Sequence, residues 1–397
     1  MSATPAEVDE TSESGASEIS PISPPPQHSY GQILKSSLLI GGSSLLNVVA
    51  GVIRSKATAL LLGPGGFGLM GLYTSVASLA QSIAAMGINS SGVRQIAAAV
   101  GSGDAPRIAQ TAAVLRWASV VLGLLGGVLL ALVARPVSGL TFNSYDRAAP
   151  VALLSLAVFF RVVSDGQGAL LQGLRRIPDL AKMGVLNGIL GTLATIALVY
   201  LFREKGVVPS LIAIAGIAAL FSWWFSRKIR FEAPSLSASW VVQESGALLK
   251  LGFAFMASGT LTMGAAYVVR LIVARQVGIA AVGLYQSAWT IGALYVGFIV
   301  DAMGADFYPR LTAAVANHEE CNRLVNEQAQ IGLLLAGPGV LATLTLAPLV
   351  VPLFYSSAFR EAVDLLRWMC LGATLRVITW PIGFVIVAKA RQSIFLF

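Results

Sequence analysis

Charge is scarce in this chain of 397 residues: Asp, Glu, Lys and Arg together make up 12% of it, about half the share of a soluble domain. With 56% apolar residues and a mean hydropathy of +0.76, a large soluble fold is excluded, because no soluble core of this size buries so much apolar surface. Histidine is nearly missing. His28 and His318 stand far apart, and no Ser/His/Asp constellation can be assembled around either. The two cysteines, Cys321 and Cys370, lack metal-ligand spacing and read as unpaired thiols. No GK[ST] follows the glycines of GPGGFG (63–68), so that stretch reads as a tight chain reversal rather than a phosphate cradle. Sustained period-two alternation is also missing, which leaves helices as the structures able to cross lipid. No catalytic domain has room between the apolar runs, so neither an enzyme nor a cofactor or metal is expected.

Basic residues are missing from the first thirty positions, where Glu7, Asp9, Glu10, Glu13 and Glu18 precede a proline-rich PISPPPQ. Such a segment cannot offset its ordering entropy by burial, and residues 1–34 are expected to form a disordered acidic tail. Without a basic n-region it is not a signal peptide.

What is abundant is apolar sequence in runs of membrane-spanning length. Ten lie near 36–60, 67–88, 112–133, 148–172, 181–201, 207–226, 250–274, 283–304, 330–352 and 362–387, each close to the ~20 residues that cross ~30 Å of hydrocarbon. The fold class expected is an all-α polytopic membrane protein. With the N-terminus inside, twelve Lys and Arg fall in cytoplasmic connections and six in the opposite ones. That bias favours a cytoplasmic N-terminus, and the net charge of +8 reads as basic loops rather than nucleic-acid binding.

The two halves repeat. GLYTSVASLAQSIAAMG (71–87) echoes GLYQSAWTIGALYVGFIVDAMG (283–304), FRVVSD (160–165) echoes LRVITW (375–380), and Lys35 matches Lys250 at an offset of 215. An offset of one six-helix unit makes two pseudo-symmetric parallel bundles. The expected domains are a first bundle over 35–226, a cytoplasmic linker over 227–249 and a second bundle over 250–397. By the same offset Phe397 corresponds to Lys182, so counterparts of the fifth and sixth helices are not in this sequence. Either it is part of a longer chain, or four helices suffice in the second bundle.

Seven ionisable residues fall inside the spans: Arg54, Lys56, Arg161, Asp165, Arg270, Asp301 and Arg376. Each costs about 2.5–3.5 kcal/mol at mid-membrane on insertion scales, so a cavity or a partner is expected. Arg54 and Arg270 are repeat equivalents within one residue, which argues for a shared cavity, although either can snorkel to an interface. Lys56 is about 200° around the helix from Arg54, so the two do not point into one cavity together. Arg161 and Asp165, spaced i and i+4, are expected to form an ion pair. Arg376 keeps the place of Arg161 but faces Trp380 where Asp165 would be. Asp301 is either a coupling carboxylate or a solvated helix end. Five cations against two acids suit an anionic ligand, for which guanidinium forks match phosphate oxygens.

TALLLGPGGFGLMGLY, LFYSSAFREAVDLLRWMCLGATLRV and GFVIVAKARQSIFLF resemble the corresponding regions of Wzx-type O-antigen flippases, in the multidrug/oligosaccharidyl-lipid/polysaccharide exporter superfamily. The resemblance covers residues 33–397. It implies twelve helices in two lobes around a cationic cavity, and movement of undecaprenyl-diphosphate-linked oligosaccharide across the bacterial inner membrane. Lys56 and Arg270 fall where that family often carries basic residues. It also implies contact with membrane lipid and with polysaccharide polymerase machinery. Alternatives within the superfamily are a multidrug antiporter, whose cavity would be acid-rich, and a peptidoglycan-precursor flippase. A membrane-embedded glycosyltransferase or polymerase is the alternative of another class, without its expected large outer loop or acidic metal motif.

Overall fold

The computed structural model describes residues 30–229, 238–293, 307, 311 and 317–388. The acidic tail and Asp301 lie outside the described residues. Every described element is helical: α1 Tyr30–Ala84, α2 Ile88–Gly101, α3 Ala105–Leu132, α4 Ala134–Phe142, α5 Ala148–Gly173, α6 Ile177–Phe202, α7 Val207–Arg227, α8 Ala238–Gln276, α9 (described over 279–293), α10 His318–Phe354 and α11 Ala362–Ala388. Six stretches are long and apolar enough to cross a membrane; two of these join a pair of spans.

Helix α1 contains the first two expected spans, joined by a sharp kink. Gly63 adopts φ 65° and ψ −175°, closed to residues with a Cβ, and Pro64 opens the second arm where a helix needs no N–H. The GPGG reversal is therefore a turn at Gly63 between two helical arms, as tight as the sequence suggests. Two short helices were not expected. α2 fills the connection after the second span because Ile88, Ser91, Gly92, Ile96 and Ala99 recur at helical spacing and bury one face; α4 likewise follows α3 directly. α8 begins at Ala238, so the C-terminal part of the expected linker is helical. Two helix starts are capped by side chains: Asp104 accepts from the Arg107 amide at 3.1 Å, and Asn317 accepts from Glu319 and Glu320.

The helices form two bundles that exchange side chains. α1 to α5 and α7 surround one core, which includes Leu154, Val158 and Leu170 of α5 and also takes in Leu248 and Tyr267 of α8, while α6 packs on Leu171, Phe221 and Phe225 beside it. Conversely, Ala59 and Phe67, either side of the α1 kink, are buried in the core of α9, α10 and α11 with Ala288, Tyr355, Phe359 and Leu366. α8 is tied along the first bundle by Ser82–Thr260 (3.2 Å), Thr141–Tyr267 (2.6 Å) and Arg275 donating to the Leu140 carbonyl (2.7 Å).

Where the bundles cross, glycines bring backbone onto backbone. A Cβ on Gly283 would come 2.0 Å from the Pro64 carbonyl oxygen, and one on Gly68 2.0 Å from that of Ile279. At the other end Gly87 (φ 66°) and Gly252 approach as closely. Within the first bundle, α1 lies against small residues of α6: Asn47 and Ala50 meet Gly184 and Gly188, and Thr192 donates to the Ala50 carbonyl at 3.0 Å.

Gly283→Ala is therefore expected to lower stability by about 1–3 kcal/mol despite the better helix propensity of alanine. Gly337→Ala, with nothing within 4 Å of the added carbon, should leave stability unchanged or raise it. Thermal unfolding of both variants in detergent tests the contrast.

Candidate functional site

The crossing of the α1 kink with the α8–α9 turn sets the depth of the candidate cations. Gly63 and Gly278 (φ 110°) mark the two reversals, which meet through the Gly283–Pro64 contact. Arg54 precedes Gly63 by nine residues and Arg270 precedes Gly278 by eight, about 13.5 and 12 Å down their helices from that shared end.

Arg270 is 8% exposed and held on three of its nitrogens. Nε and Nη2 both donate to Gln286 Oε1, at 3.0 and 2.9 Å, and Nη1 donates to the Ala266 carbonyl at 3.0 Å. The guanidinium carbon lies 5.7 Å from the Tyr285 ring centre, and Gly71 of α1 leaves room for Gln286 beside it. Two of the five N–H groups are not used by these bonds, and no carboxylate pairs with Arg270 among the described residues.

Arg54 is half-buried, with its Nη1 over Gly191 of α6. Arg161 on α5 lies within electrostatic range of both Arg54 and Asp165. The expected Arg161–Asp165 ion pair does not form: no such pair is found among the described residues, and Arg161 is exposed. Asp165 instead accepts from Gln81 Nε2 of α1 at 2.7 Å. An amide across the helix interface thus gives Asp165 its hydrogen-bond partner, while Arg161 stays within electrostatic range of it.

Arg376 lines a cavity of about 270 Å³ between α9 and α11, with Trp289, Gly292, Ala293, Met369, Gly372 and Ala373. Tyr285 stacks on Trp289 at 6.2 Å, so one aromatic stripe on α9 runs from Arg270 to this cavity. Lys56 is exposed on the flank of α1 away from Arg54. The structure thus places Arg161 within electrostatic range of Arg54, puts Arg270 at matching depth on the other bundle, and leaves Lys56 apart.

The end carrying both reversals is closed. Ser55 and Tyr355 hydroxyls meet at 3.1 Å. Phe67, Tyr355 and Phe359 pack with ring centres 5.2–5.9 Å apart, all 5% exposed or less. Gln81, Gln286, Ser55 and Tyr355 escaped notice in the sequence. Only Gln286 carried a signal: the α8–α9 turn pairs position 270 with position 286 across an antiparallel hairpin.

Two helical bundles crossing at a closed end define a fold class, that of two-lobed multi-pass helical membrane proteins. The fold resembles the inward-facing conformation of a multidrug resistance MATE family transporter of the MOP superfamily, with a TM-score of 0.64 and 18% identity, over 89% of this chain and 84% of that one. It equally resembles a MOP superfamily transporter from Pyrococcus furiosus described as having reverse polarity in its binding pocket (TM-score 0.62, 18% identity, 92% and 83% covered). The profile of the family described as "Polysaccharide biosynthesis protein" matches residues 58–364, and the chain belongs to that family. Among relatives, the lipid III flippases of Escherichia coli (strain K12) and Shigella flexneri are each 24% identical over 378 residues, covering 92% of this chain and 87% of theirs.

The Gln81 bond makes a stability prediction. Asp165→Ala strands a buried amide and is expected to cost about 1–3 kcal/mol, whereas Asp165→Asn keeps an acceptor and should cost much less. Equal losses in thermal unfolding of the two variants would favour Arg161 as the true partner.

Proposed function

We propose that this protein is a flippase that carries an undecaprenyl-diphosphate-linked oligosaccharide, an O-antigen or other surface-polysaccharide unit, across the bacterial inner membrane. The observation that carries the reading is the pair of guanidiniums at Arg54 and Arg270, at membrane depth and with no ion pair among the described residues. Buried cations of this kind are stable when an anion or water-filled cavity meets them. A diphosphate meets them best, because forked N–H pairs match its oxygens.

The sugar–diphosphate headgroup cannot cross hydrocarbon unaided. Two lobes that open alternately lower that barrier, while the polyprenyl tail stays in lipid. In this reading Arg54 and Arg270 hold the diphosphate from opposite lobes, and Lys56, on the flank of α1 away from Arg54, does not touch it. Arg376 and the face of Trp289 receive the sugar in the 270 Å³ cavity, since pyranose rings present both C–H faces and hydroxyls. With the N-terminus cytoplasmic, the end that carries both reversals faces outward. Flanking Lys and Arg support that orientation. Polymerase machinery outside would then consume the exported unit. A carrier of cationic drugs would need the opposite polarity at these positions.

Expression in a strain lacking its own flippase tests the proposal. The chain should restore surface polysaccharide and clear lipid-linked oligosaccharide trapped on the inner leaflet. Arg270→Ala should reduce export about tenfold or more with the amount of inserted protein unchanged. Normal surface polysaccharide in that variant refutes the assigned role.

A further inference from the structure

The last turn of α7 gathers cations and tryptophans where the helix leaves the lipid. Its 21 residues, Val207–Arg227, rise about 30 Å, the thickness of the hydrocarbon core, so Arg227 and Lys228 stand at the membrane edge. The buried side of this end is fixed to the first bundle: Phe221 and Phe225 share a core with Leu171 of α5, and Ser222 donates to Gln167 Oε1 at 2.8 Å. Arg116 of α3 reaches the same place, its Nη2 donating to the Ser226 carbonyl at 2.8 Å. The outer side is aromatic. Trp223 and Trp224 are 50% and 49% exposed, and Trp117, beside Arg116, is 74% exposed. The Arg227 guanidinium carbon lies 4.7 Å from the centre of the Trp223 ring. Lys228 Nζ lies 4.7 Å from that of Phe225 and 5.9 Å from that of Trp224.

We propose that this end of α7 binds an anionic phospholipid, with Arg116, Arg227 and Lys228 around the phosphodiester and the tryptophans beside its glycerol and upper acyl carbons. The site stands apart from the headgroup cations above and does not depend on their role. Helix capping alone would turn Arg227 and Lys228 to the last carbonyls. Arg116 already takes the Ser226 carbonyl, and the other two lie back over rings. A ring face attracts a cation without using its N–H groups, and neither Arg227 nor Lys228 forms an ion pair among the described residues. Their N–H groups are thus left for phosphate oxygens, which a guanidinium meets as a fork and an ammonium as a point charge. Exposed tryptophan suits the same depth, with its ring in the headgroup layer. Net charge on the lipid matters, because a choline headgroup carries the same phosphate but adds a cation that this cluster repels. Seated there, one lipid ties α3 to α7 across α5, which packs against both.

The test uses the full chain, purified and loaded with equal amounts of dioleoylphosphatidylglycerol and dioleoylphosphatidylcholine. Native mass spectrometry counts the lipids retained, and thermal unfolding is followed in each lipid alone. The parent should retain the glycerol lipid about tenfold over the choline lipid and unfold at a higher temperature in it. Arg227→Gln with Lys228→Gln should lose that preference and that shift, yet unfold in the choline lipid as the parent does. Removing the same charge elsewhere on the bundle, with Arg94→Gln and Arg107→Gln at exposed positions, should leave both intact. Trp223→Leu keeps apolar surface at the helix end and should weaken the preference several-fold; it serves if the double variant fails to fold. Equal losses in the two double variants would reduce the effect to the general attraction of a basic protein for an anionic surface. That result, or no preference in the parent, overturns the site. Displacement of the retained lipid by undecaprenyl diphosphate at equal concentration overturns it too, since the site would then belong to the carrier lipid.

Discussion

Everything in this fold answers to the cost of keeping guanidinium groups at membrane depth with no ion pair among the described residues. Arg270 meets that cost with Gln286, the Ala266 carbonyl and the Tyr285 face, all neutral. Neutral partners satisfy N–H geometry but leave the charge itself uncancelled, so the site retains its attraction for an anion. Arg54 bears both its burial and the nearby charge of Arg161. Asp165 is bound to Gln81 and lies within electrostatic range of Arg161, so it offsets part of that charge without forming an ion pair. Such an arrangement is poor for stability alone and makes sense where a passing anion supplies the missing charge.

The way the bundles interlock serves the same end. α8 is embedded in the first core, and the α1 kink is embedded in the second. Each lobe thus holds one helical arm of the other, and movement of either is felt in both. Glycine–glycine crossings keep these contacts thin: no side chains interdigitate at Gly68–Gly283 or Gly87–Gly252. Thin backbone contacts separate without repacking a core, whereas the aromatic cluster of Phe67, Tyr355 and Phe359 gives the closed end its grip.

Much of this was legible in the sequence because lipid imposes long apolar runs, and the span assignments follow that constraint directly. The repeat offset gave the pairing of Arg54 with Arg270, since chain reversals at Gly63 and Gly278 fix depth by counting residues. Partner choice was not legible. Arg161 and Asp165 stand at ion-pair spacing, yet a glutamine from another helix takes the carboxylate, and one-dimensional spacing carries no information about that competitor. The helices α2 and α4 were missed for a related reason: short amphipathic pieces rest on the bundle, and their burial depends on neighbours far away in the chain. Tyr355 and Ser55, 300 residues apart, meet only because the two lobes fold against one another.

The central claim is that uncompensated guanidiniums form a site for a lipid diphosphate, and a comparison of lipids tests it most directly. Purified protein in nanodiscs is titrated with undecaprenyl diphosphate and with undecaprenol, which share a tail and differ in charge. Tighter binding of the diphosphate by about tenfold or more, equivalent to about 1.4 kcal/mol or more, is the predicted result. Equal affinity for the two would mean that the buried cations do not recognise an anionic headgroup, and the account would fail.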